Sequence, residues 1–299
     1  MAVELRELTK TYGSRRGLAG LTLDVRPGEV FGFLGPNGAG KTTTIRLLLD
    51  LIRPTSGTAR ALGLDPRRDG TELHRRVGYL PGDFVVDGRQ SAAQCLEFLA
   101  GLRGGVPRAR IDALAGRLDL DLHTAIRRLS KGNRQKIGLI QAFMHHPELL
   151  ILDEPTSGLD PLVQQAFLDM VREARRDGRT VFVSSHIMSE VEAVADRVAI
   201  IRDGGLVALD TVADLRARSH LQVSITFAAP VQPAAFAALP GVTDLTVDGP
   251  VLSCRVIGSP DPLIKEAARH TVIELHSGRP DLEDLFFGYY NGEEAGHAA

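Results

Sequence analysis

VFGFLGPNGAGKTTTIRLLL, residues 30–49, joins an apolar run, a glycine-rich loop and a run with apolar residues at helical spacing. The loop GPNGAGKT (35–42) carries Gly35, Pro36, Asn37, Gly38, Ala39 and Gly40 ahead of Lys41, Thr42 and Thr43. Its glycines let backbone N–H groups curl around phosphate oxygens, and the helix that follows presents its positive N-terminus to the same anion. Lys41 is placed to reach the outer phosphates of a nucleotide, and the Thr42 hydroxyl to ligate Mg²⁺. A glycine turn before a buried helix is the plainer reading. The strand–loop–helix context, however, is the one that a phosphate loop requires. A second stretch of similar make, LSKGNRQKIGL (129–139), has a Ser and a Gly opening an apolar helix, again an anion-binding pattern.

The remaining strands place this loop in an α/β sheet. VELREL (3–8) and LTLDV (21–25) alternate as half-buried strands, whereas ELLIL (148–152), apolar after Glu148, and TVFVSS (180–185), apolar or small, read as strands covered on both faces. LVQQAFLDMVREARRDG (162–178) and EVEAVAD (190–196) read as helices, and VAIIRDGGLVALD (198–210) as a hairpin turning on Asp203, Gly204 and Gly205. From about 83 to 146 the pattern is helical. The expected architecture is a mainly parallel sheet with helices on both faces, interrupted by a helical insert. The character changes around 217–220. LQVSITF, VTDLTV, VLSCRVI and TVIELH are strand-like, and DPLIKEAARH and DLEDLFFGYY (281–290) are helical, which predicts a small α+β appendage over 219–290. Its Phe286, Phe287, Tyr289 and Tyr290 read as packing on the appendage's own core, and 291–299 as a disordered tail.

Composition narrows the class. The 299 residues carry 35 basic and 37 acidic side chains, a net charge of −2, so no basic excess points to nucleic acid. Cys95 and Cys254 form no metal spacing and suit a reducing compartment. The N-terminus lacks a signal-peptide h-region and no run is long enough to span a membrane, so a cytosolic location is expected.

Three further signals carry chemistry. ELLILDEP (148–155) ends an apolar strand on Asp153 and Glu154, at the sheet edge where α/β folds bind ligands. Asp153 would hold Mg²⁺, and Glu154 would orient and deprotonate an attacking water. A capped strand end in a surface turn is the bland alternative. His186 ends the next buried strand, within reach of a γ-phosphate. Tyr12 offers a ring to stack on a purine, or is simply a half-exposed tyrosine beside a turn.

Taken together, residues 1–218 resemble the ATP-binding subunit of the ABC transporter family, a P-loop NTPase cassette with an antiparallel β subdomain and the helical insert. On that resemblance Tyr12 stacks the adenine, 35–42 is the Walker A loop, LSKGN (129–133) the signature motif, LLILDE (149–154) Walker B, SGLD (157–160) the D-loop with Asp160, and His186 the switch histidine. The resemblance implies ATP and Mg²⁺, the metal held by Thr42 and Asp153, and catalysis by Glu154 and His186. It implies a homodimer or heterodimer in which Ser130, Lys131, Gly132 and Asn133 contact the ATP held by the partner. It further implies a separate transmembrane permease, a place on the inner face of the plasma membrane, and no nucleic acid. The usual signature is LSGGQ, so Lys131 and Asn133 are departures, as is Gly82 followed by Asp83 where the family's Q-loop has Gln. The appendage looks like that of bacterial drug- and antibiotic-exporter subunits. The alternative is a soluble mechanical ATPase of the same superfamily acting in DNA repair or on ribosomes, against which stands the absence of a coiled coil or zinc module between Walker A and the signature.

Overall fold

The structure, a computed structural model, describes residues 1–13, 15–86, 88–218 and 221–278. Its contacts divide into two compact units, Met1–Val212 and Ala213–Ala299. The division falls ahead of the 218/219 boundary expected from composition. The expected helix over 281–290, with its four aromatic residues, and the tail 291–299 lie outside the described residues.

The first unit opens with β1 (Val3–Tyr12), β2 (Arg15–Val25) and β3 (Val30–Leu34), then α1 (Lys41–Leu48), β4 (Ser56–Ala61), α2 (Gly70–Arg76) and β5 (Val77–Leu80). The insert supplies α3 (Ala92–Leu102), α4 (Arg108–Arg117) and α5 (Lys131–Phe143). It is followed by β6 (Leu149–Asp153), α6 (Pro161–Arg176), β7 (Thr180–Ser185), α7 (Met188–Glu192), β8 (Arg197–Arg202) and β9 (Gly205–Thr211). Six strands form one sheet in the order β5-β6-β7-β3-β8-β9, parallel except for β9. The turn between β8 and β9 is Asp203–Gly204, both at positive φ (51° and 80°), which is the two-residue geometry that matches strand twist. Gly205 already belongs to β9.

A second, antiparallel sheet has the order β2-β1-β4. Alternate residues of the central strands feed opposite cores. Phe31, Phe33, Leu149 and Ile151 pack with β1, β2 and α1 on one face. Val30, Leu150 and Leu152 pack with the insert and α6 on the other. This two-sided burial is why β3, β6 and β7 read as unbroken apolar or small runs. Register then decides where chemistry can occur. Leu34 of β3 pairs with Ser185 of β7, and Ser184 of β7 with Asp153 of β6, so three strands end side by side.

The insert departs from expectation at its start. Residues 83–86 and 88–90 form no helix, and helix begins only at Ala92, where Ser91 and Gln94 make a reciprocal capping box. The loop is held by packing instead. Gly138 of α5 presents no side chain, and a Cβ there would lie 2.6 Å from Leu80 and 2.8 Å from the Phe84 ring. Among the described residues of the second unit, α8 (Val212–Arg218) leads from the division into β10 (Leu221–Phe227), α9 (Pro233–Ala237), β11 (Val242–Asp248), β12 (Val251–Val256), α10 (Asp261–Ala267) and β13 (Val272–Gly278). The four strands make an antiparallel sheet, β11-β12-β10-β13. Val223, Ile225 and Phe227, the alternate residues of LQVSITF, pack with Phe236, Leu252 and Leu263 in its core. Both cysteines are buried, and burial raises their thiols, in keeping with two inert side chains.

One polar clamp joins the insert to the sheet. Arg103, at the C-terminus of α3, donates through Nη1 to the carbonyls of His74 and Val77 and lies 3.1 Å from His145 Nε2. Burial first, and then the Arg103 charge, push the His145 imidazole down from 6.5 to about 4. A folded value below the free one means that the fold binds the neutral ring. That contribution is whole above pH 6.5 and is lost as pH falls toward 4. We predict that the unfolding free energy of the parent chain falls through this window more steeply than that of His145→Gln, by up to one bound proton, in urea titrations at stepped pH. Parallel slopes for the two chains would contradict the clamp.

Candidate functional site

The site is built where β3, β6 and β7 end. The loop after β3 turns on Gly38 and Gly40, at φ of 85° and 111°, conformations that favour glycine. At Gly40 a Cβ would also lie 2.7 Å from Leu18 and 2.8 Å from the Gly17 carbonyl. No side chain caps α1, which leaves its first amides for an anion. Gly35 packs against the Ile201 carbonyl, where a Cβ would come within 2.5 Å, and Ala39 is buried beneath the loop.

Lys41 is almost wholly buried. Its ammonium donates to the carbonyls of Gly35 (2.6 Å) and Pro36 (3.3 Å) and lies 3.1 Å from Glu154 Oε1. That carboxylate oxygen is buried with no aligned donor, so the contact is an ion pair rather than a well-formed hydrogen bond. Across the site, Asp153 is 0% exposed. Such a carboxyl group needs donors, and two hydroxyls supply them: Thr42 Oγ1 donates to Oδ2 at 2.7 Å and Ser184 Oγ to Oδ1.

Glu154 stands at φ 47°, in the left-handed region that a non-glycine residue rarely enters. The backbone is held there from both sides. Its N–H donates to the Ser184 carbonyl (3.1 Å), and Gln135 of α5 donates through Nε2 to the carbonyls of Glu154 and Pro155. The turn aims the side chain at His186, whose Nδ1 lies 2.7 Å from Glu154 Oε2. Strain at one peptide thus places a carboxylate between Lys41 and His186.

A cavity of about 420 Å³ collects Tyr12, Arg15, Arg16, Gly17, Pro36, Asn37, Gly38, Gly40, Lys41, Thr42, Thr43 and Glu154. Tyr12 is 46% exposed and its ring carries the Lys10 ammonium at 5.2 Å from the centroid. Gly17 gives the ring room, since a Cβ there would sit 2.9 Å from it. Arg15 and Arg16 escaped the sequence reading, as did Gln135 and Ser184. A basic pair at a strand start is a weak signal, and the other two act through contacts remote in sequence. The SS before His186 was the one available hint.

Ser130, Lys131, Gly132, Asn133 and Asp160 do not line this cavity. Ser130 caps α5, accepting from the Asn133 N–H at 3.2 Å, and Asp160 caps α6, accepting from the Val163 N–H at 3.0 Å. Gly132 touches the loop before α6: a Cβ there would lie 2.4 Å from the Gly158 carbonyl. Gly82 lies against the carboxylate at the end of β6, since a Cβ would stand 3.2 Å from Asp153 Oδ2, while Asp83 beside it is exposed.

Comparison with known proteins bears on this geometry. A family model described as "ABC transporter" matches residues 18–157, from within β2 to the start of SGLD. The chain is 39% identical over 210 residues to the bacitracin transport ATP-binding protein BcrA of Bacillus licheniformis, 68% of each chain being covered. It is 32% identical over 298 residues to a fluoroquinolones export ATP-binding protein of Mycobacterium tuberculosis, covering 95% of this chain and 91% of the relative. A solved structure described as the ATP binding subunit of an ABC transporter superposes with a TM-score of 0.66 at 30% identity, over 72% of this chain and 92% of the other.

The crowding at Gly132 yields a test that needs no ligand. Alanine at a helical glycine is ordinarily worth up to about 1 kcal/mol in stability. Here its Cβ meets a backbone carbonyl that cannot step aside, and overpacking of this kind costs about 1–3 kcal/mol. Gly132→Ala should therefore lower the urea midpoint of the nucleotide-free chain. A raised midpoint would mean that Gly132 is not pressed against Gly158.

Proposed function

The chain belongs to the ABC transporter family, and from that membership we propose that it is the ATP-hydrolysing subunit of a drug exporter, docked on a separate membrane permease. The observation that carries this reading is the single sheet edge on which Lys41, Thr42, Asp153, Glu154 and His186 converge. Relatives named for bacitracin transport and for fluoroquinolones export match along nearly the whole of both chains, which favours transport over action in DNA repair or on ribosomes. No helix among the described residues is long and apolar enough to cross a membrane, and in this reading a separate permease supplies the membrane path. Phe98 and Leu102, one turn apart on α3, and Val85 in the loop ahead of it are exposed apolar side chains and suit such docking.

In this reading the triphosphate lies along the glycine loop, its charge met by the loop amides, the N-terminus of α1 and Lys41. The adenine takes the open side of the cavity by Tyr12. Thr42 and Asp153 present two hard oxygens at one point, which fits Mg²⁺, a metal that keeps waters and phosphate oxygens for its remaining positions. Bound there, the ion would neutralise charge on the phosphates. Glu154 takes the proton of the attacking water, and His186 holds that carboxylate in line.

One side of the γ-phosphate is left to another chain. The N-terminus of α5, with Ser130 exposed, lies outside its own chain's cavity. A second copy turned head to tail would bring its α5 amides and Ser130 onto that phosphate. Because one chain carries every part, two copies make two complete sites. ATP then holds the pair closed, and loss of the γ-phosphate releases it.

Glu154→Gln should bind ATP as the parent does and hydrolyse it roughly 10²–10⁴-fold more slowly, the worth of a positioned base, trapping a closed dimer visible by size-exclusion chromatography with light scattering. Turnover at the parental rate would remove Glu154 from the role. Lys41→Ala, which removes a charge-assisted contact, should weaken ATP binding by about 10- to 100-fold; unaltered affinity would place the triphosphate elsewhere.

A further inference from the structure

The opposite edge of the central sheet holds a cluster that the nucleotide site does not use. Arg117 of α4 pairs with Glu173 of α6 through two hydrogen bonds, 2.6 and 3.0 Å. Arg110 lies seven residues earlier, hence on the same face of α4, and so looks toward the turn Asp177–Gly178–Arg179 that follows α6. Arg179 precedes β7, and His146 precedes β6. Those strands pair Leu149 with Thr180, so the two residues enter the sheet as neighbours.

The basic groups here outnumber their acceptors. The Arg179 side chain is only 11% exposed. Its Nη2 donates to Asp177 Oδ2 at 2.9 Å, but Nε and Nη1 are buried and meet no acceptor among the described residues. Arg110 Nε is buried in the same condition. Asp177 itself is more than half exposed, so it is a weak counter-charge. Burial first, and then the nearby Arg179 charge, lower the Arg110 guanidinium, while burial followed by the charges of Arg110 and Arg179 lowers the His146 imidazole. The two guanidiniums repel each other in partly desolvated surroundings while three of their nitrogens lack an oxygen among the described residues. Leaving such donors unmet is costly, and a planar fork with spare N–H groups is the geometry that tetrahedral oxyanions satisfy.

We propose that Arg110 and Arg179, with His146 beside them, form a binding site for a small oxyanion of the phosphate type on the side of the sheet away from the nucleotide. The site is independent of the transport reading. Its anion is either free phosphate or the head of a phosphate monoester, and both present the same oxygens to the two forks. Bound there, the anion replaces like-charge repulsion with charge-assisted hydrogen bonds linking α4 to the turn before β7.

The test is calorimetric titration of inorganic phosphate, and separately of glycerol phosphate, into the full chain. The chain is first saturated with a non-hydrolysable ATP analogue, whose own γ-phosphate occupies the glycine loop, and ionic strength is held constant with sodium chloride. The expected result is one saturable phosphate site, weakened at least tenfold in Arg179→Gln and in Arg110→Gln and unaltered in Arg176→Gln, an exposed arginine at the end of α6. Arg110 lies half-buried on α4, so its variant keeps the test decisive should Arg179→Gln fail to fold. Equal binding of glycerol phosphate assigns the site to monoesters as well, and binding of inorganic phosphate alone assigns it to the free ion. Absence of saturable binding, or binding that survives both substitutions, overturns the proposal.

Discussion

The hydrogen bond from Thr42 to Asp153 ties together two parts of the chain separated by 111 residues. Asp153 is buried to the last atom, and a carboxyl group in that position must be met by donors or be driven from the fold. Thr42 meets one oxygen and Ser184 the other, which locks the ends of β6 and β7 to the start of α1. Neighbouring contacts follow from that lock. Glu154 is turned into a left-handed conformation by the Ser184 carbonyl and by Gln135, and the turn delivers its carboxylate between Lys41 and His186. Disturbing the buried carboxyl group would therefore misplace the Glu154 carboxylate, the glycine loop and the start of α5 together.

Gln135 gives this lock its longer reach. It belongs to the helix whose N-terminus carries Ser130, so the end of β6 and the start of α5 are joined within one chain. Gly132 and Gly158 press the same helix against the loop that begins α6. In the proposed dimer this rigidity matters, because whatever happens to the phosphate on one chain is felt through α5 at the site of the other. An interface held by a triphosphate is stiff while the anion bridges it and weak once the outer phosphate leaves. The departures in the signature fit that view: Lys131 and Asn133 leave the Ser130 cap and the Gly132 contact intact.

Much of this was legible in the amino-acid order because the signals are local. The glycine loop, the apolar strands that end at Asp153 and just before His186, the Ser130 opening of α5, and the Asp203–Gly204 turn all follow from short-range chemistry. Strand β4 did not announce itself: SGTARA has neither apolar alternation nor bulk, and is extended because β1 offers it an edge to pair with. The stretch 83–90 looked continuous with the helical insert, but the Phe84 side chain is drawn onto Gly138, a contact invisible from either residue alone. Arg15 and Arg16 enter the cavity only because β2 folds back beside Tyr12. In each of these cases a tertiary partner overrides a local preference.

The central claim is that each γ-phosphate is gripped by two chains. It is tested most directly by mixing two inactive variants, Lys41→Ala, which spoils the glycine loop, and Ser130→Ala, which spoils the α5 grip, and measuring phosphate release after subunit exchange. If the sites are completed across the interface, a mixed dimer contains one site with both lesions and one with neither. Activity should then rise well above the sum of the parents. If each chain completes its own site, every site in the mixture keeps a lesion, and activity that stays at that sum would contradict the account.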